Sequence, residues 1–230
     1  LSKKEGELVF GSNNEKVMFP CGKLKLEGVL HIPQPTGFRQ AGCLPYEPVP
    51  QKAVVICHPH PLYGGNMHNS MIMTVATALG KKGLITLRFN FRGVGKSEGY
   101  FNDGIGEKED VRAAISFLAI KVKPQKIGLG GYSFGTLVAF PVAVEEDRVQ
   151  ALAGISPFIS PPTLLNDYHR PKYFISGKED EYVNCHQLQE IVISLPEPKK
   201  LEIVAGADHF WWGEEEKVAQ KVADFFKENL

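Results

Sequence analysis

Gly131-Tyr132-Ser133-Phe134-Gly135 holds a serine between two small residues, the pattern of an activated nucleophile. A serine hydroxyl is a weak nucleophile. It needs a base in reach, and N–H donors for the oxyanion that forms when it attacks a carbonyl. A sharp strand-to-helix turn presents it well, and small residues two before and two after the serine relieve the crowding of such a turn. Here the apolar run Ile127-Gly128-Leu129 precedes the pentapeptide and the helical run Thr136 to Val144 follows it. The backbone N–H of Phe134 then lies at a helix N-terminus, where developing negative charge is stabilised. The chemistry this points to is acyl transfer through Ser133.

A serine nucleophile needs an acid and a histidine, and both occur downstream in the order Ser, Asp, His. After the apolar run Tyr173 to Ser176 comes Gly177-Lys178-Glu179-Asp180-Glu181. Asp180 stands three residues past the turn-permitting glycine and is expected to orient the base; Glu179 and Glu181 read as solvated neighbours. Gly206-Ala207-Asp208-His209-Phe210 follows the last apolar run, which places His209 as the general base. The segment His58-Pro59-His60-Pro61-Leu62-Tyr63-Gly64-Gly65 is where a second oxyanion donor belongs. Pro59 and Pro61 have no N–H, so His60 and Leu62 both remain candidates. Tyr63, Tyr132, Phe210 and Trp211, with Phe134 and Trp212, are expected to line an apolar substrate pocket. His58, His60 and His68 have no cysteine or carboxylate beside them in sequence, so neither a metal nor another cofactor is expected. The stretch Asn90 to Gly99 lacks phosphate-loop spacing. It reads as a glycine-supported turn, with Arg92 held by an acid such as Asp110.

Alternating strands and helices hold these groups in place. Lys16 to Cys21 and Lys23 to Ile32 read as an antiparallel pair, and residues 33–51, rich in proline and glycine, as a loop insertion. Strands are then predicted at Ala53 to Cys57, Leu84 to Asn90, Lys126 to Gly131, Val149 to Ile155, Lys172 to Ser176 and Leu201 to Val204. Helical spacing marks His68 to Lys82, Gly106 to Lys121, Phe134 to Val144, Asn184 to Ser194 and Glu214 to Glu228. Such alternation forces right-handed crossovers and a mostly parallel sheet with helices on both faces, in a single domain over 1–230. Ligands in such sheets bind at the carboxyl ends of the strands.

The 230 residues carry 26 Lys+Arg and 26 Asp+Glu. That balance gives no global pull towards nucleic acid or an anionic membrane. No apolar run is long enough to span a bilayer, and no signal peptide is evident. Cys21, Cys43, Cys57 and Cys185 read as free thiols, so a reducing cytoplasm is the expected compartment. The expected partner is a small-molecule ester, with the chain a monomer or homodimer.

The segments His58-Pro59-His60-Pro61…Gly64-Gly65, Arg88-Phe89-Asn90-Phe91-Arg92-Gly93-Val94-Gly95-Lys96-Ser97, Gly131 to Gly135 and Gly206 to Phe210 resemble small single-domain α/β-hydrolases. The resemblance is closest to the dienelactone-hydrolase-like and serine-esterase-like group, and runs from about residue 16 to the C-terminus. It implies the triad Ser133, Asp180 and His209 and a sheet without a large lid. The short stretch between Ile155 and Lys172 agrees, having no room for a helical cap. Dienelactone hydrolases proper carry a cysteine nucleophile, so Ser133 argues against dienelactone as the substrate. A carboxylesterase for small to medium acyl groups is expected. A thioesterase or amide hydrolase would use the same triad, and a non-catalytic binding protein on this scaffold would be expected to show a broken one.

Overall fold

The computed structural model describes residues 9–36 and 51–230. Strands β1 (Val9–Cys21), β2 (Leu24–Thr36), β3 (Lys52–Cys57) and β4 (Ile85–Phe89) are followed by β5 (Lys126–Tyr132), β6 (Val149–Ile155), β7 (Lys172–Gly177) and β8 (Lys199–Val204). Helices α1 (Ser70–Lys81), α2 (Ile105–Val122), α3 (Phe134–Glu145), α4 (Cys185–Ser194) and α5 (Glu215–Asn229) connect or follow the parallel strands. The sheet has eight strands in the order β1-β2-β4-β3-β5-β6-β7-β8. The β1–β2 and β2–β4 pairs are antiparallel and all others parallel. This is the α/β-hydrolase architecture.

Period-two alternation builds the two cores. In β3, Ala53, Val55 and Cys57 face the layer that holds α2, α3 and α4, while Val54 and Ile56 face α1 and α5. Each helix offers one apolar stripe to its layer: Val111, Ala114, Ile115 and Leu118 from α2, and Val218, Ala219, Val222 and Phe226 from α5. From β3 the chain crosses to β4 on one side, and from β5 to β6 on the other. The crevice that opens beyond the carboxyl ends of β3 and β5 is therefore where a ligand site belongs.

Two expectations are corrected. The opening strands are longer than predicted, starting at Val9, and β2 continues through Pro33 and Pro35 to Thr36. Proline is tolerated there because β2 pairs with β4 only over Gly28 to His31; beyond that it has β1 alone, and one edge needs no N–H. The rest of the expected 33–51 insertion, residues 37–50, lies outside the described residues. Residues 156–171, between β6 and β7, form turns without a helix or strand, so no cap rises there. No helix among the described residues is long and apolar enough to cross a membrane.

Candidate active site

Ser133 lies between β5 and α3 with φ 53° and ψ −121°, a left-handed conformation that L-residues rarely adopt. The turn is tight enough that a Cβ at Gly135 would strike the Cys57 carbonyl, and one at Gly131 would strike the Gly135 backbone. The hydroxyl so presented lies 2.8 Å from His209 Nε2. On the far side of the ring, Nδ1 meets both carboxylate oxygens of Asp180, at 3.0 and 2.8 Å. All three side chains are buried, while Glu179 and Glu181 are exposed. The acid and histidine loops approach so closely that Gly177 leaves no room for a Cβ against the Ala207 carbonyl.

The electrostatics suit an ionised carboxylate. Burial by itself would raise the Asp180 carboxyl. Hydrogen bonds from His209 and the Val183 N–H, with Ser156 beside them, hold it below its ordinary value instead. Asp180 Oδ1 also accepts the N–H groups of Tyr182 and Val183, each at 2.9 Å, which fixes the carboxylate plane. A neutral imidazole in this arrangement can take a proton from Ser133 on Nε2 while Nδ1–H stays on Asp180.

A loop after β3 faces this group. Pro61–Tyr63 form a short 3-10 turn capped by the His60 side chain, whose Nδ1 accepts the Leu62 N–H at 3.2 Å. The Leu62 donor is thereby taken, which removes one of the two expected oxyanion candidates. The His60 and Phe134 N–H groups have no acceptor among the described residues. Three bonds to β4 and the turn after it hold this loop. Phe91 N–H donates to His58 Nε2 (3.1 Å), Asn90 Oδ1 accepts the Met67 N–H (2.7 Å) and Arg88 Nη1 donates to the Met67 carbonyl (2.9 Å). His58 is sealed from solvent, and burial pushes its pKa down to about 4, against a small opposing effect of the Pro59 carbonyl. It is a neutral structural pin. No group of three or more His, Cys, Asp or Glu among the described residues is placed to hold a metal.

A family model described as "Serine aminopeptidase, S33" matches residues 48–172, more than half of the chain. The chain belongs to this family. It is a serine α/β-hydrolase, and its nucleophile elbow and the loop after β3 both fall within the matched span. An uncharacterized protein of Rickettsia prowazekii is 30% identical over 185 residues, covering 74% of this chain and 76% of that one. Among solved structures, an alpha-beta serine hydrolase homologue from Coxiella burnetii is 30% identical with a TM-score of 0.77, covering 91% and 96% of the two chains. A serine hydrolase without lid from Xanthomonas campestris is 25% identical with a TM-score of 0.78, covering 96% of each.

Around the hydrolase site, two expected pocket residues have other work. Tyr132 is buried in the α1/α5 core, and its hydroxyl donates to the His209 carbonyl at 2.7 Å. It holds the histidine loop from beneath and cannot line an open pocket. Trp211 is fully buried, with φ 61°, and its indole N–H donates to Ser156 Oγ at 3.0 Å. Two expected pocket residues do stand at the surface: Tyr63 packs on the His60 ring (4.8 Å between centroids) and Phe210 on the His209 ring (5.7 Å). Tyr182 and Phe101, which sequence reasoning missed, lie against His209 (4.8 Å) and His60 (5.1 Å). Tyr182 follows the acid by two residues, a proximity that could have marked it. The expected Arg92–Asp110 pair is present at 2.7 Å.

Proposed function

We propose that the chain is a carboxylesterase that cleaves small to medium acyl esters through an acyl-enzyme on Ser133. The observation that carries the reading is the continuous line from Ser133 Oγ through the His209 ring to both oxygens of Asp180. In the first half-reaction Ser133 Oγ bonds to the ester carbonyl carbon and its proton passes to His209 Nε2. The tetrahedral oxyanion is held by the N–H groups of Phe134 and His60. Collapse breaks the bond to the alcohol, which leaves with the proton from His209. In the second half, water gives its proton to His209 and its oxygen to the acyl carbon, and Ser133 regains its proton.

The family description raises an amide reading, since an aminopeptidase needs a carboxylate free to hold the substrate's ammonium group. Three carboxylates near the site, two on loops and Glu107 in the first turn of α2, are already engaged with backbone N–H groups. Asp180 takes Tyr182 and Val183, Asp208 takes Phe210 and Trp211, and Glu107 takes Asn102 and Gly104. Glu179 and Glu181, exposed beside Tyr182, are not so engaged, and an aminoacyl p-nitroanilide run beside the ester separates the two readings. The experiment is treatment with a fluorophosphonate followed by intact-mass analysis, with p-nitrophenyl acetate turnover measured alongside. One adduct on the native chain, none on Ser133→Ala, and measurable turnover are expected. An unlabelled native chain would sink the reading.

A further inference from the structure

Five aromatic side chains among the described residues are strongly exposed: Tyr63 (88%), Tyr100 (88%), Tyr182 (61%), Phe210 (49%) and Trp212 (76%). All five stand on the loops that frame Ser133. Tyr63 packs on His60, and Tyr100 adjoins Phe101, whose ring also packs on His60. On the other side, Tyr182 and Phe210 pack on His209 and on each other, edge to face at 6.0 Å, and Phe210 continues to Trp212 at 6.4 Å. Among exposed aliphatic residues, Leu62 shares this rim and Ile105 opens α2, whereas Met18, Met73, Ile120, Val144 and Ile193 are dispersed on other elements. Large rings are normally drawn inward, so their restriction to the rim of one site marks a surface that binds rings.

The two sides of the rim differ in what they touch. His209 must hand its proton to the oxygen of the departing alcohol, so the group next to that oxygen lies against whatever borders the imidazole. Tyr132 lies beneath the ring, buried, and Phe158 is half-buried at 6.2 Å; the exposed neighbours are Tyr182 and Phe210. We propose that this face selects esters whose alcohol portion carries a planar aromatic ring, held by stacking on Tyr182 and Phe210; this rests on the esterase reading above. The acids beside these rings, Glu179 and Glu181 around Tyr182 and Glu214 and Glu215 after Trp212, disfavour an anionic alcohol or an anionic lipid surface. An uncharged aryl-methyl alcohol fits both the rings and the charge.

Matched ester pairs test this. Benzyl acetate and cyclohexylmethyl acetate place a ring of similar size on the alcohol side, one planar and one puckered; ethyl phenylacetate and ethyl cyclohexylacetate do so on the acyl side. Each kcat/KM is divided by the ester's alkaline hydrolysis rate. Benzyl should exceed cyclohexylmethyl by about threefold to tenfold, the worth of one good aromatic contact, with the acyl pair equal within about twofold. The alcohol-side ratio should fall to about one in Tyr182→Leu or Phe210→Leu and persist in Tyr182→Phe, which keeps the ring. The ratio is internal to each variant, so partial loss of active protein does not disturb it. An alcohol-side ratio of one in the native chain, a preference confined to the acyl pair, or a ratio unmoved in both leucine variants would overturn the proposal. Failure to turn over any of the four esters, with Ser133 unlabelled by fluorophosphonate, would instead remove the esterase reading and this proposal with it.

Discussion

Trp211 Nε1 donates to Ser156 Oγ across 3.0 Å, with both side chains fully buried. The bond ties the histidine loop to the end of β6, beside the carboxylate that faces His209. Both residues have positive φ, 61° for Trp211 and 43° for Ser156, and Ser133 is a third at 53°. Non-glycine residues held in this region store strain that the surrounding contacts must offset. Trp211→Phe keeps most of the packing and removes the donor. It should lower stability by about 1–2 kcal/mol, the worth of a buried hydrogen bond with a small cavity. If the bond positions His209, kcat should fall several-fold while KM stays nearly constant. Urea unfolding and ester kinetics together check this; full activity in a destabilised variant would mean that the bond serves the fold alone.

His58 gives the fold a pH dependence. Its folded pKa, about 4, lies below the ordinary value of about 6.5 because burial disfavours the imidazolium. The unfolded chain therefore binds the proton first as pH falls, and the stability that neutral His58 contributes above about pH 6.5 is lost on the way down to about pH 4. The loss between pH 7.5 and 5 is about 2 kcal/mol. In His58→Gln, the amide oxygen can accept the Phe91 N–H but does not titrate. The stability gap between the native chain and this variant, measured in urea, should narrow by about that amount at pH 5. A gap independent of pH would show that His58 titrates alike in both states.

Much of the arrangement was legible because strand ends carry the chemistry. Ser133, Asp180 and His209 each follow an apolar run that could only be a strand, and glycines at 131, 135, 177 and 206 announced the turns. The aromatic neighbours were not legible. Phe210, Trp211 and Trp212 are consecutive, yet the middle one turns inward through a left-handed backbone that no propensity rule assigns to tryptophan. Tyr132 adjoins the nucleophile in sequence, but strand alternation sends its side chain into the opposite core. Prolines 33 and 35 spoke for a loop; only the sheet order reveals that this part of β2 has one neighbour and tolerates them. The grip of β4 and the turn after it on the loop after β3 needed tertiary structure too, since Asn90 and Met67 are 23 residues apart.

Asn90 is the centre of that grip. Besides accepting the Met67 N–H, its amide donates to Glu27 Oε1 at 2.7 Å. Asn90→Ala would leave the buried Met67 N–H without a partner, which costs about 1–3 kcal/mol. Because Met67 closes the loop that carries His60, a transition-state mimic should suffer more than a substrate does. A boronic acid, which forms a tetrahedral adduct on serine, should lose about tenfold in affinity, with KM for p-nitrophenyl acetate nearly unchanged. Equal losses in both would disconnect Asn90 from the oxyanion donor.

The open rim limits the acyl chain length that the site can reward. Residues 156–171 raise no cap over the site, and the rim side chains Leu62, Tyr63, Tyr182 and Trp212 stand in solvent. Among the described residues, a long aliphatic chain therefore finds rings to touch and no cap to enclose it. Each fully buried CH₂ contributes about 0.8 kcal/mol, roughly fourfold in affinity, but only where water is excluded from all round it. In a p-nitrophenyl ester series, kcat/KM should peak at short acyl groups, on the order of C2 to C6, and gain nothing beyond them. The aromatic preference argued above does not conflict with this, because stacking needs one flat partner whereas an alkyl chain needs a tunnel. A steady rise through C10 or C12 would require an enclosed apolar channel at Ser133, and the open-site picture would have to be abandoned.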